Sequence, residues 1–373
     1  MDFRFNEKQE MLRATARDFL SRECRLSLVR DMDADQTKTP YDLWDRIAGL
    51  GWLGLVIPEE YSGEGGTFLD FIVVLEEAGR ALLPVPLMSD IVLGALPILW
   101  SSSSGLKSIL LPHIVSGKEV ISMAGMSSDL SNIGEKNRLH RLSSGNLVAS
   151  GTYDLVPDAM SSTKILLPIY LDNSKEKVCL ILVDTNAKGV TRIPQKLVSG
   201  DRRCRVVLED VEVRSDSVVA FGDELVSVIE KAYFHWIVAE CAWIAGAARR
   251  VFEMAVDYVK TRSQYGRRLG SFQSVQHQCA EIAIDIHSTE YVVHRAAWGL
   301  GQELDSRNEV AVAGIWAGEA CRRVAARSCY LHGALGYSQE YDVQLYLRHI
   351  AGASAAIGNT GDFYRRISTV LLD

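Results

Sequence analysis

Near the C-terminus the run Ile357-Gly358-Asn359-Thr360-Gly361-Asp362 sets one carboxylate, Asp362, in a short polar loop that interrupts a helical tail. A carboxylate placed there can cap a helix or take a proton from a substrate in a water-poor cleft. Two more carboxylates stand in apolar surroundings. Glu240 lies inside "WIVAECAWIAGA", where a charge must be paired, hydrated by a cavity, or chemically used. Its plain alternative is a structural carboxylate bonded to a neighbouring helix. Asp90, in "PVPLMSDIVLG", follows a proline-bounded turn, where N-capping a helix is the plain alternative. A cationic cluster stands in "TRSQYGRRLGSFQSVQH" at 261–277, and a guanidinium such as Arg262 offers a bidentate fork for phosphate. Gly266 is expected to end a helix where the chain turns.

Other chemistries find no footing. "GEGG" at 63–66 has no strand before it and no dinucleotide fingerprint after it. The eight histidines form no HExxH pair, and no G-x-S-x-G elbow is present. The seven cysteines form no CxxC pair, which points to reduced thiols packed as small hydrophobes in a cytoplasm. A formal net charge of −7 argues against a nucleic-acid surface. No run of about eighteen apolar residues is present to span a membrane. "MDFRFNEKQEMLRATARDFL" reads as an amphipathic helix of the fold rather than a signal peptide.

The elements that must position these groups separate by texture. From Asp2 to about Lys118 the apolar spacing is helical, as in "LWDRIAGLGWLGL" and "FIVVLEEAGRALL". From about Val120 to Phe221, short β-branched runs such as "KVCLILVD" and "RRCRVVLEDVEV" are broken by Gly, Asn, Asp and Pro. From Asp223 a helical pattern of unusual length begins, with further long helices from near Ser271 and Asn308. The expected plan is α+β in three parts: a helical N-terminal domain (1–118), a middle β domain (119–221) and a C-terminal helical bundle (222–373). Helices of this length pack into bundles or subunit interfaces, so an oligomer is expected.

Four motifs in this order, "GLVIPEEYSGEGG" at 54–66, "LEEAGR" at 75–80, "TRSQYGRRLGSFQSVQH" at 261–277 and "LHGALGYSQEYDVQLYLR" at 331–348, resemble the acyl-CoA dehydrogenase family over nearly the whole chain. The resemblance implies an FAD-dependent α,β-dehydrogenation of an acyl-CoA thioester. A carboxylate takes the α-proton, a hydride leaves the β-carbon for the flavin, and the thioester oxygen is held by hydrogen-bond donors. It also implies an electron-transfer flavoprotein or similar acceptor, and FAD bound across a subunit interface. Homodimer, homotetramer and a heterotetramer with a homologous chain all satisfy that last point. A flavin oxidase or monooxygenase on the same fold is a further alternative.

By the same resemblance, Arg262, Gln264, Tyr265, Phe272 and Gln276 match the segment that grips FAD, and Gly333 and Gly336 the stretch that meets it from the partner subunit. Tyr330 stands where the family has glutamine, and Ala334 where a second glycine is common. The family's flavin-facing Thr-Glu-Pro and Gly-Ser-Asp are replaced by "SMAGMSSD", leaving Ser122, Ser127 and Ser128 as substitutes. Its Trp-Ile-Thr-Asn strand becomes Leu155-Val156-Pro157-Asp158, and proline brings no N–H. Counted back from Arg365, Thr360 and Asp362 fall on FAD-contacting positions, and the catalytic glutamate falls on Gly358. The second known base position falls on Trp236. Glu240, one turn further along that helix, becomes the preferred base, with Asp90 as the alternative. Small residues at Gly352, Ala353 and Gly358 leave room for a bulky acyl group. The rival reading is a non-catalytic partner subunit of a heteromeric enzyme.

Overall fold

The computed structural model describes residues 4–125, 134, 136–141, 147–171, 177–358, 361, 363–365, 367 and 368. The N-terminal helices are α1 (Glu7–Glu23), α2 (Leu26–Ala34), α3 (Tyr41–Gly49) and α4 (Phe68–Ala81), followed by a π-helical stretch (Ser89–Ala95), α5 (Leu96–Trp100) and α6 (Ser104–Val115). α1 starts on a capping box between Asn6 and Gln9, and α4 on another between Thr67 and Asp70. Gln9 Nε2 donates to Asp70 Oδ1 at 2.8 Å, so the two caps also tie the helices together.

Strands follow: β1 (Ile121–Met123), β2 (Arg138–Arg141), β3 (Leu147–Pro157), β4 (Lys164–Leu171), β5 (Val178–Asp184), β6 (Val190–Gln195), β7 (Arg203–Val213) and β8 (Val218–Phe221). They form one sheet in the order β6-β7-β3-β2-β4-β5-β8, with β1 beside β4. The pairing is antiparallel except at β1–β4 and β2–β4. This sheet buries its own core, including Leu139, Ile165, Leu167, Ile181 and Val206.

The chain then returns to helices: α7 (Asp223–Thr261), a two-stranded hairpin of β9 (Ser263–Gln264) and β10 (Arg267–Arg268), α8 (Gln273–Gly301), α9 (Arg307–Leu331) and α10 (Val343–Ala356). At 39 residues α7 is about 58 Å long at ~1.5 Å per residue. It packs against α4, α8, α9 and α10, and its buried residues join the N-terminal helices in a single helical core. Gly266 does not end the helix as expected. α7 stops at Thr261, and Tyr265 (φ 54°) and Gly266 (φ 78°) are the two turn residues of the hairpin. Two consecutive left-handed residues are what a tight two-residue hairpin requires.

α4 and α7 approach backbone to backbone. A Cβ on Gly246 would lie 1.8 Å from the Glu76 carbonyl oxygen, and one on Gly79 equally close to that of Trp243. Beside this crossing, Arg17 bonds Glu77 at 3.0 and 2.6 Å, Arg249 bonds Glu290 at 2.5 Å through both nitrogens, and Arg80 pairs with Glu253. His294 Nε2 meets Glu76 Oε1 at 2.6 Å. Burial alone would lower the His294 pKa, but the Glu76 carboxylate outweighs it, with help from Glu290, and the net shift is upward.

Two expectations follow. Gly246→Ala has no room for its methyl, so the helices must separate, at about 1–3 kcal/mol of stability as for other overpacked cores; urea unfolding measures it. The His294–Glu76 pair contributes fully below the unfolded histidine pKa of about 6.5 and is lost as pH rises through the elevated folded value. The stability difference between wild type and His294→Gln is therefore expected to shrink across that alkaline range. A difference independent of pH contradicts it.

Candidate active site

Glu240 projects from α7 into a cavity of about 110 Å³ between α7, α4, the 82–88 segment, the end of β3 and the β6–β7 loop. Leu75, Leu82, Leu87, Met88, Trp236 and Trp243 form much of its apolar wall. Its polar side holds Asp33, Asp158, Asp201, Arg202, Arg203 and His349. The Glu240 side chain is 4% exposed, and no hydrogen bond to it is seen among the described residues. Arg203 Nη2 lies 3.7 Å from its Oε1, inside ion-pair range but beyond a hydrogen bond. The same guanidinium stands over the Trp236 ring at 5.8 Å. Burial pushes the Glu240 pKa up to about 8, with Arg203 pulling down and Asp201 and Asp158 pushing up. A carboxyl poised near neutral pH is suited to proton transfer.

Asp90 lies in the π-helical stretch, fully buried, and is not among the residues that line this cavity. It does not cap a helix. Its Oδ1 accepts from the Ile121 N–H of β1 at 2.7 Å, and its Oδ2 has no partner. Burial raises its pKa well above the carboxylate range. The side chain therefore staples the π-helical turn to β1. Its neighbour Ser89 donates to Asp158 Oδ2 at 2.6 Å.

Arg262 and Gln264 are exposed at the hairpin, and neither side chain makes a hydrogen bond or ion pair among the described residues. Tyr265, 90% exposed, meets Phe272 edge-on at 6.3 Å, and Arg267 lies 3.9 Å over the Phe272 ring. Gln276 Nε2 donates to the Gly270 carbonyl at 3.0 Å, closing the segment on itself. Gly333 is exposed at φ 64°, whereas Gly336 is buried where a Cβ would stand 2.3 Å from the Cys329 carbonyl oxygen. A Cβ on Gly358 (φ 114°) would lie 3.7 Å from Tyr233 Oη, in ordinary contact. Ser127, Ser128, Thr360 and Asp362 lie outside the described residues.

FAD, which the resemblance implies, can be tested against these groups. The stretch that stands for the flavin-facing strand does not fit. Pro157 has no N–H, and its carbonyl accepts from Ser122 Oγ at 2.6 Å. The Leu155 N–H is spent on Gln195 Oε1 and the Asp158 N–H on the Arg202 carbonyl. Leu155 has positive φ inside the irregular register with β7 between Tyr153 and Val156, and Asp158 has positive φ just past the end of that pairing. The adjoining cavity is also well short of the ~300 Å³ at which small-molecule pockets begin. The hairpin does fit, because its guanidinium and amide face solvent unspent.

The chain belongs to the acyl-CoA dehydrogenase family of oxidoreductases. Residues 6–118 match the acyl-CoA dehydrogenase N-terminal domain and residues 235–368 the C-terminal domain. It is similar to the caffeyl-CoA reductase–Etf complex subunit CarC of Acetobacterium woodii, at 25% identity over 92% of this chain and 93% of that one. In fold it is similar to the ChsE4–ChsE5 complex from Mycobacterium tuberculosis, with a TM-score of 0.88, 24% identity, and 100% and 99% of the chains covered. It is also similar to butyryl-CoA dehydrogenase from Megasphaera elsdenii, with a TM-score of 0.91, 21% identity and both chains fully covered.

Arg203 and Asp201 escaped sequence reading, and Asp158 was read only as part of a replaced strand, although the doubled arginine after Asp201, just ahead of an alternating strand, was a usable signal. The state of Glu240 is directly measurable. From about pH 4.5 to about 8 the folded chain keeps a proton that the unfolded chain releases, so stability from this group falls as pH rises. Infrared difference spectra of wild type against Glu240→Gln are expected to contain a protonated-carboxyl band that disappears near pH 8. Arg203→Met removes the stabilising charge and moves that loss to higher pH. A band absent at neutral pH contradicts the assignment.

Proposed function

We propose that this chain is one subunit of a heteromeric acyl-CoA dehydrogenase that performs FAD-dependent α,β-dehydrogenation of an acyl-CoA thioester. Its contribution to the flavin is the hairpin, offered to a partner subunit's site. One contrast carries this reading: donors are absent or spent at Leu155, Pro157 and Asp158, while Arg262 and Gln264 are unspent at the surface.

The surface supports a partner chain. Ile284, Tyr291 and Trp298 are exposed at seven-residue spacing on α8, and Val312 and Trp316 on α9. Charges around them are already paired within the chain, as Glu281–Arg327, Asp285–Arg323 and Arg295–Glu309. Covering this face therefore strands few ions. One relative is named as a subunit of an Etf complex, and one fold neighbour is a complex of two named chains. These favour an electron-transfer flavoprotein as acceptor and a homologous chain as partner. No described helix is long and apolar enough to cross a membrane, and all seven cysteines are free thiols, which suits a cytoplasmic setting.

A second reading, with Glu240 as the α-proton acceptor, is favoured by its cavity and its pKa of about 8. The two readings part in the complex purified with its homologous chain. Arg262→Ala is expected to strip flavin from the complex; unchanged flavin content sinks the hairpin's role. Glu240→Gln cannot accept a proton, so if Glu240 is the base, flavin bleaching by acyl-CoA slows by about 10²–10⁴-fold. Bleaching at the wild-type rate assigns the base to the partner chain.

A further inference from the structure

The polar end of the Glu240 cavity has donors without acceptors. The Arg203 guanidinium makes no hydrogen bond among the described residues, and its one ion-pair contact, to Glu240, is 3.7 Å. The buried Nε of Arg202 has no hydrogen-bond partner, although Asp158 Oδ1 lies 3.6 Å away. The nearby carboxylates are largely committed. Asp158 takes Ser89 Oγ and faces Arg202; Asp33 on α2 takes Arg348 and His349 of α10. Asp201 is the remaining acid, directly before the two arginines.

We propose that this cavity binds the end of a short aliphatic group terminating in a carboxylate or carbonyl oxygen, with Arg203 donating to that oxygen. The inference goes beyond the subunit reading by naming a ligand class for this chain's own cavity, and it rests on the version in which Glu240 is not the base. A purely hydrocarbon end would leave the guanidinium facing apolar atoms, a costly arrangement. An oxygen acceptor gives it the charge-assisted pair for which its fork is shaped. Leu75, Leu82, Leu87 and Met88 supply the surface for the methylenes. Size sets a further limit. A cavity of ~150 Å³ in another protein holds benzene, so about 110 Å³ takes roughly four or five heavy atoms, as in propionate.

The charges facing that oxygen set its pH dependence. Glu240 from α7, neutral below about pH 8, can donate a second hydrogen bond and does not repel an anion. Once ionised it repels the ligand and competes for Arg203. Asp33, with its pKa lowered, stays ionised and paired with His349 and Arg348 throughout. Arg203 at the start of β7 and Arg202 just before it face Asp158, just past the end of β3, and Asp201.

Ligand-observed NMR with propionate on the isolated chain tests this without flavin or turnover. Wild type is expected to bind with a roughly millimolar Kd, weakening above about pH 8. Arg203→Met should lose about tenfold or more, and Arg203→Gln, checked by its melting curve, serves if the first variant does not fold. Glu240→Gln keeps a donor but cannot ionise, so its binding should lose the alkaline weakening seen in wild type. No binding far above the millimolar range, or equal binding by wild type and a folded Arg203 variant, overturns the proposal. Either failure leaves the subunit reading intact, because that reading is judged on flavin content.

Discussion

The architecture depends on the backbone-to-backbone approach of α4 and α7, which glycine alone permits at Gly79 and Gly246. Because those helices touch through their carbonyls, side chains on either side of the crossing must sort themselves by polarity. On one flank they form the paired network of Arg17, Glu77, Arg249, Glu290, Glu76 and His294. On the other, Trp236, Glu240 and Trp243 of α7 face Leu75, Ala78 and Leu82 across the cavity. Burial of Glu240 is thus a consequence of how closely two helices pack. Its elevated pKa follows from that burial, and Arg203 moderates the shift without cancelling it.

The same helix links two regions of different character. Midway along, it presents Trp236 and Glu240 to the sheet, where Pro157 and the bonds of Ser122 and Gln195 leave few main-chain donors for a flavin. At its end it delivers Arg262 to a solvent-facing hairpin whose aromatic and cationic side chains brace one another. A chain with only the second feature ready is suited to completing another subunit's site. The prepaired charges on α8 and α9 are consistent with such an assembly.

Much of this was legible in sequence where the signal was local. Helical spacing gives way to β-branched runs near Val120 and returns at Asp223, and the structure changes texture there, with α6 ending at Val115, β1 opening at Ile121 and α7 starting at Asp223. Glu240 stood out because one carboxylate in a long apolar run is costly to bury. Other features depended on tertiary contact. Tyr265-Gly266 lacks the usual Asn-Gly signature of a tight turn, so the hairpin read as a helix end. Asp90 read as a cap because its acceptor role depends on Ile121, 31 residues away. The approach of Arg203 to Glu240 depends on β7 beginning beneath α7, which no local pattern encodes.

The most direct test is the flavin-to-chain ratio of this protein purified alone and again with a co-expressed homologous chain. If, as proposed, its own flavin-facing strand is unfit and its hairpin serves a partner, the isolated chain should carry almost no FAD. The complex should carry about one FAD for each pair of unlike chains. One FAD per chain in the isolated protein, stable to gel filtration, would contradict the account.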